Sequence, residues 1–409
     1  MEILTVDAQR LWDSLMQMAQ IGATPKGGCC RLALSDEDRR GRDLFIDWCK
    51  AAGLAVRMDE MGNVFARRAG RDANLPPVVM GSHLDTQPTG GKFDGPFGVL
   101  AALEVLRTLV DRQIATDHPL EVVSWTTEAG ARFVPAMMAS GVFVGALTRD
   151  YAYGQRDIHG TSFQQALEAI GYRGAEPCRP FPMRAYLEPH IEQGPILEAE
   201  GVTIGVVTGA QGQYWYDAKV VGRESHAGTT PMDRRRDALT AAAQLVSAVE
   251  AVALTQGPPA VATVGQLKVM PYSRNTVPGE VTLSVEFRHP QQEVLDAMEA
   301  ALGERLAAIE TRGVKVELQR FWHSPPLTFD PTCVAAVRNG AQRLGLSHRD
   351  IPSGAGHDAC YISKVAPTAM IFIPCKDGIS HNEAESASFD DVAAGANVLL
   401  QAALEIAKV

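Results

Sequence analysis

The sequence predicts an α/β protein: a mostly parallel sheet flanked by helices, interrupted by an inserted ferredoxin-like unit. Three observations carry this reading. Apolar strands repeatedly run into polar, Gly-rich loops and then into apolar helices, the arrangement that gathers functional groups at the carboxyl edge of a parallel sheet. From Gln213 the pattern changes to βαββαβ, the order of a ferredoxin-like sandwich. After Pro325 and Pro326 the earlier patterning resumes.

The elements follow in order. An amphipathic opening helix precedes a helix over 37–52, short strands near 54–57 and 63–67, and an apolar strand at 77–81. That strand leads into GSHLDTQPTGGKFDGPFG and an apolar helix from Phe97 to about Val110. A second such unit has an apolar strand at 120–125 ending in TTEAGARF. The inserted unit reads as strand 214–221, helix 237–254, strand 260–269, strand 280–288, helix 291–311 and strand 314–320. A last apolar strand, 368–374, ends in CKDGISHNEAE. Residues 1–211 and 326–409 are thus expected to form one domain and 212–325 another. The length of 409 residues fits two domains, because single cores stop growing at about 250–300 residues.

A net charge of -10 and a pI near 5.5 argue against a nucleic-acid partner, and the basic run at 234–236 is short enough to be a solvated helix start. Seven scattered cysteines without CxxC spacing indicate neither a disulfide framework nor a thiolate zinc site. The N-terminal stretch MEILTVDAQRLWDSL lacks a basic leader region, and no apolar run is read as approaching the roughly 20 residues that span a bilayer. The expected location is the cytoplasm, with no membrane contact.

Four loops at strand ends carry the chemistry: His83 with Asp85 and Asp94, Glu128, His190 with Glu192, and His381 with Glu383. Singly, each has a structural reading as a hydrogen-bonded histidine or a turn-forming carboxylate. Together, at the ends of strands, imidazole and carboxylate without thiolate suit a catalytic zinc, manganese, cobalt or nickel site. Asp94, a short carboxylate in a Gly-rich turn, can bridge two cations. Asp85 can accept the second ring N–H of His83 and fix its tautomer. Glu128 is the candidate general base.

The segments GSHLDTQPTGGKFDGPFGVLAALE, TTEAGARFVPAMMASGVFVG, LEPHIEQGPILE, GRESHAGTTPMDRRRDA, SGAGHDA and ISHNEAE resemble, in order and over nearly the whole chain, the hydantoinase/carbamoylase family. Its members are N-carbamoyl-L-amino-acid hydrolases, allantoate amidohydrolases and β-ureidopropionases, within the two-metal aminoacylases and carboxypeptidases. The resemblance implies a metallopeptidase-like catalytic domain with an inserted lid that dimerises, and two divalent metal ions per subunit. It assigns His83, Asp94 and His190 to one metal, Asp94 and His381 to the other, and Glu128 to the general base. A further Glu ligand of the second metal is expected where this chain has Ala129. A methyl group cannot coordinate, so the second site is expected to be weakened.

Arg288 ends the polar face of the alternating strand 280–288, where a guanidinium fork suits a substrate carboxylate; an ion pair with Glu286 is the structural alternative. The resemblance gives Arg288 the carboxylate role and turns His226 and Asn275 toward the substrate, with His226 also in the catalytic set. Gln193 and the 354–358 loop complete the implied pocket. Gly356 would let backbone N–H groups approach an anion, while His357 and Asp358 are as readily structural. The expected reaction is hydrolysis of the carbamoyl C–N bond of an N-carbamoyl-L-amino acid. Allantoate and β-ureidopropionate are alternatives, and Ala129 raises a further one, an inactive or substrate-trapping variant.

Overall fold

The computed structural model describes residues 3–408; Met1 and Glu2, the start of the stretch read for targeting, and Val409 lie outside the described residues. The chain forms two compact units, one running to Gly209 and resuming at Thr328, the other spanning Ala210–Leu327. The expected boundaries at 212 and 325 fall just inside the second unit.

The first unit is built on a nine-stranded sheet. At its centre the strands Leu120–Trp125, Val78–His83, Ala185–Ile191 and Thr368–Ile373 lie side by side and parallel. Every residue of these four strands is buried, as expected of parallel strands covered on both faces. The helices Pro96–Asp111 and Phe389–Ala407 pack on each other and on the central strands. The first lies close because of Gly98: a Cβ there would stand 2.3 Å from the Pro189 carbonyl oxygen.

The expectation of a mostly parallel sheet is corrected to a mixed one. Ala55–Met58 and Val64–Arg68 pair antiparallel, as do Val64–Arg68 with Leu120–Trp125 and Ile204–Ala210 with Thr368–Ile373. The first pair has a physical cause in its connection: the short turn 59–63 is too short for a crossover and can only reverse the chain. All seven cysteines are free thiols.

The second unit is a five-stranded antiparallel sheet in which Leu267–Met270, Glu280–His289, Gly212–Val221 and Lys315–Ser324 lie in that order. Helices Ala238–Gln256 and Gln292–Glu310 cover one face, where Tyr214, Tyr216, Val281, Leu283, Val285 and Phe287 meet Leu245, Val249, Leu295 and Met298. The strand Glu280–His289 alternates half-buried and buried residues throughout, as its sequence pattern requires.

Two expectations need correction here. The strand expected over 260–269 is broken into Val261–Thr263 and Leu267–Met270. Thr263 faces Glu286 and Leu267 faces Leu283, so four steps on one strand match three on its partner, a bulge that the backbone of Gln266 fills against Ser284. The helix Ala238–Gln256, at 19 residues, is long and apolar enough to cross a membrane by length and composition. Its buried positions Ala238, Ala241, Ala242, Leu245, Val249 and Val252 recur at helical spacing and face the sheet of the second unit.

Candidate metal centre

Two parallel strands and one loop converge on a single point. His83 is the last residue of Val78–His83, and His190 lies at the end of Ala185–Ile191. Asp94 is delivered by the loop between the first strand and the helix Pro96–Asp111. Gly95, at φ 86°, turns that loop under the His83 ring, where a Cβ would stand 2.4 Å from Cε1. The ligand atoms of His83, Asp94 and His190 all lie within 4.8 Å of one another.

Each imidazole is held by its far nitrogen. His83 Nδ1 donates to the Asp85 carbonyl at 2.8 Å, and His190 Nδ1 donates to the Ile191 carbonyl at 2.9 Å. Each Nε2 then presents a lone pair inward, and both Nε2 atoms are buried without a hydrogen-bond partner. Asp94 Oδ1 stands 3.5 Å from His83 Nε2 and 3.4 Å from His190 Nε2. Two donors each about 2.1 Å from a tetrahedral ion would be about 3.4 Å apart. Two orphaned buried nitrogens at that spacing around one carboxylate oxygen fit a divalent cation.

The second oxygen of Asp94 faces other groups. Asp94 Oδ2 lies 3.3 Å from His381 Nε2 and accepts from Gln193 Nε2 at 2.9 Å and Ser380 Oγ at 3.0 Å. The two carboxylate oxygens thus point at two different histidine sets, the arrangement a bridging ligand needs. Against the cost of desolvation, Asp94 is held well below the ordinary carboxylate range by His190, His381 and His83.

Glu128 is buried, with Oε2 3.3 Å from His83 Nε2. Burial pushes its carboxyl up to about 7, His83 opposing and the Asp94 and Asp85 carboxylates adding to the rise. The backbone before it is strained, with Thr127 at φ 62°. Ala129 is pinned beside it: its N–H donates to Asp85 Oδ2 at 3.1 Å and its carbonyl accepts from Gln87 Nε2 at 2.8 Å.

Asp85 requires a correction. Its backbone carbonyl, not its carboxylate, accepts the His83 N–H; the nearer carboxylate oxygen is 3.7 Å away. The carboxylate instead accepts from the N–H groups of Glu128 and Ala129. A short side chain on an extended backbone cannot fold back under the ring two residues earlier when the carbonyl is already there.

Other expected residues fall outside the cluster or into structural positions. Glu192 caps the turn after its strand, accepting from Ile196 and Leu197 N–H groups. Glu383 lies 3.7 Å from the exposed Lys26. A Cβ on Gly356 would meet the flexible end of Met137. His357 packs its ring edgewise on His190 at 4.5 Å and hydrogen-bonds Ser353, and burial holds it well below the ordinary histidine range. Asp358 takes a short hydrogen bond from Ser140.

Two carboxylates that support the site were not singled out in the sequence. Glu188 is fully buried and accepts from Ser82 Oγ, Tyr186 OH and the Ala359 N–H at 2.8, 3.1 and 2.8 Å. Its signal was available, since it stands two residues before His190 on the same strand face. Glu385 accepts from the N–H groups of Phe93 and Asp94 at 2.9 and 3.0 Å, anchoring the loop that carries Asp94. Its sequence signal is the acid pair in ISHNEAE, in which Glu383 is the member closer to His381.

In the second unit, His226 and Asn275 meet through a two-stranded ribbon in which Ala227 N–H donates to the Asn275 carbonyl at 3.2 Å. His226 Nδ1 accepts from Gly228 and Thr229 N–H groups at 3.0 and 3.2 Å, leaving its exposed ring with the proton on Nε2. Arg288 Nε donates to Glu286, the ion pair set out as its structural alternative.

The chain matches the family model for peptidase family M20/M25/M40 over residues 79–405. It is 51% identical to the N-carbamoyl-L-amino-acid amidohydrolase of Rhizobium meliloti, covering 99% of this chain and 97% of that one. It is 35% identical to the allantoate amidohydrolase of Escherichia coli K12, covering 97% of each. Among solved structures it is similar to an amidase of the hydantoinase/carbamoylase family from Burkholderia multivorans, with a TM-score of 0.93, 56% identity and 98% of each chain covered. With its α/β fold of mixed sheets and a histidine–carboxylate cluster at the ends of parallel strands, the chain belongs to the peptidase M20/M25/M40 family, among the amidohydrolases of its hydantoinase/carbamoylase branch.

Proposed function

We propose that the chain hydrolyses the carbamoyl C–N bond of an N-carbamoyl-L-amino acid, giving the amino acid, carbon dioxide and ammonia. The observation that carries the reading is the pair of orphaned Nε2 atoms of His83 and His190 around Asp94, with Glu128 beside them. The 51% identity to a hydrolase of that name favours this substrate over allantoate or β-ureidopropionate.

His83, Asp94 and His190 would hold one divalent cation, and Asp94 with His381 a second. When bound, zinc, manganese, cobalt or nickel supplies Lewis acidity at the ureido carbonyl and lowers the pKa of water. Glu128 takes the proton from the attacking water. Its raised pKa suits it to deliver that proton to the departing nitrogen as ammonia leaves. The carbamate left behind loses carbon dioxide to give the free amine. His226, with its Nε2–H outward, and Asn275 donate to the developing oxyanion. Arg288 holds the substrate carboxylate, Gln193 and the Gly356 loop line the pocket, and Glu286 keeps the guanidinium oriented. The second unit, a ferredoxin-like sandwich, serves as lid and as the interface of a homodimer in the cytoplasm.

A second reading rests on Ala129. With a methyl group in place of a carboxylate, the Asp94–His381 side has two ligands in reach, so the second cation is held weakly and turnover is impaired. Ammonia release from a panel of N-carbamoyl-L-amino acids, allantoate and β-ureidopropionate, with the wild-type chain and Ala129→Glu, tests both. Release confined to N-carbamoyl-L-amino acids and increased by Ala129→Glu is the expected result. No release from any ureido compound by either chain contradicts the proposal.

A further inference from the structure

We infer that Trp215, Phe321 and Trp322 form a side-chain subsite beside Arg288, selecting substrates with an aromatic or other large apolar side chain. This rests on the reading of Arg288 as the holder of the substrate carboxylate.

Helices cover one face of the sheet in the second unit; its other face carries the alternate residues Trp215, Asp217 and Lys219 of one strand and Thr282, Ser284, Glu286 and Arg288 of the next. Most of that face is small, polar or charged. At one end it is not. Glu286 lies directly opposite Trp215, and Trp215 directly opposite Trp322, so the three side chains stand in a row on one face. The register slips between Arg320 and Trp322, so that Phe321 is an extra residue and two aromatics oppose one tryptophan. The rings meet, with centroids 4.9 Å apart for Trp215 and Trp322 and 6.3 Å for Trp215 and Phe321.

These rings remain in water, at 37% exposure for Trp215, 54% for Phe321 and 40% for Trp322. Three adjoining exposed aromatics are costly on a surface unless something covers them. The indole of Trp215 donates to Glu286 Oε1 at 2.9 Å, the same oxygen that accepts from Arg288 Nε. One carboxylate therefore locks both the aromatic shelf and the guanidinium, fixing an apolar surface beside a cation. A ligand with a carboxylate on the carbon that bears its side chain matches that pairing: the carboxylate goes to Arg288 and the side chain onto the shelf. A substrate with a small side chain would leave the rings wet.

Calorimetric titration of the full chain with N-carbamoyl-L-phenylalanine and N-carbamoyl-L-alanine tests the inference without requiring turnover. The phenylalanine compound is expected to bind about tenfold tighter. Phe321→Ala and Trp322→Ala should each bring that ratio to about threefold or less, while Arg288→Gln weakens both ligands. A wild-type ratio near one, or a ratio unchanged in both aromatic variants, overturns the subsite. If the variants alter the oligomeric state in sedimentation and leave the ratio intact, the shelf is a subunit contact and the subsite is equally overturned. Failure of both ligands to bind overturns the subsite together with the ureido reading. Selective binding without ammonia release leaves the subsite standing and removes the hydrolytic reading alone.

Discussion

The Oε2 atom of Glu128 stands 3.3 Å from Nε2 of His83, and that nitrogen is buried with no hydrogen-bond partner. The Glu128 carboxylate thus stands beside the same buried nitrogen that faces Asp94, close enough for the proposed base to reach a water held at that point. Glu128→Gln keeps the shape and removes the proposed base. We expect a loss of about 10²–10⁴-fold in kcat with metal content per chain unchanged, measured by ammonia release and elemental analysis. Equal loss of metal and activity would make Glu128 a ligand instead.

The loop bearing Asp94 is tied down from a distance. Glu385 takes the backbone N–H groups of Phe93 and Asp94, so Glu385→Ala leaves one buried and one part-buried donor unpaired and frees the Asp94 carboxylate to wander. The expected outcome is metal affinity about 10–100-fold weaker in equilibrium dialysis. Unchanged affinity would show that Gly95 and the helix start suffice to place Asp94.

Gly95→Ala tests the opposite constraint. At φ 86°, with a Cβ that would stand 2.4 Å from the His83 ring, the substitution must displace either the loop or the imidazole. A lower melting temperature together with weaker metal binding is expected. A loss of stability with metal affinity intact would show that the loop, not the ring, gives way.

How much of this was legible in the sequence depends on what each residue had to signal. His83 and His190 stood out because each ends an apolar strand, where a polar residue has no packing reason to be. Asp94 stood out as an acid in a Gly-rich turn. Glu188 carries the same signal two residues before His190, but its partners Ser82 and Ala359 are remote in sequence and only the fold brings them to it. Hydrogen bonds such as that from Asp94 N–H to Glu385 are likewise invisible to any local pattern. The antiparallel flanks of the sheet were missed because periodicity reports which face is buried, not which way a neighbour runs. The break in the strand expected over 260–269 depends on register against Glu280–His289, which only pairing reveals.

Away from the site, burial pushes the Asp59 carboxyl up to about 6, against the pull of hydrogen bonds from Asn63 and Met61. A folded pKa above the unfolded value of about 3.9 means that the folded chain binds this proton more tightly. Its contribution therefore favours folding at low pH and is lost as pH rises through about 6, by up to about 1.4 kcal/mol per pH unit between the two values. Thermal melts of the wild type and Asp59→Asn should show the wild type gaining on the variant between pH 7 and 4.5. A constant difference would mean that Asp59 ionises normally.

Metal content per chain after equilibrium dialysis against zinc or manganese, compared with Ala129→Glu and His190→Ala, bears most directly on the site. The proposed sets, His83–Asp94–His190 for one ion and Asp94 with His381 beside Ala129 for a weakened second, predict about one firmly held ion in the wild type. That number should rise to two in Ala129→Glu and fall below one in His190→Ala. Two tightly held ions in the wild type, or one that survives His190→Ala, would contradict the assignment.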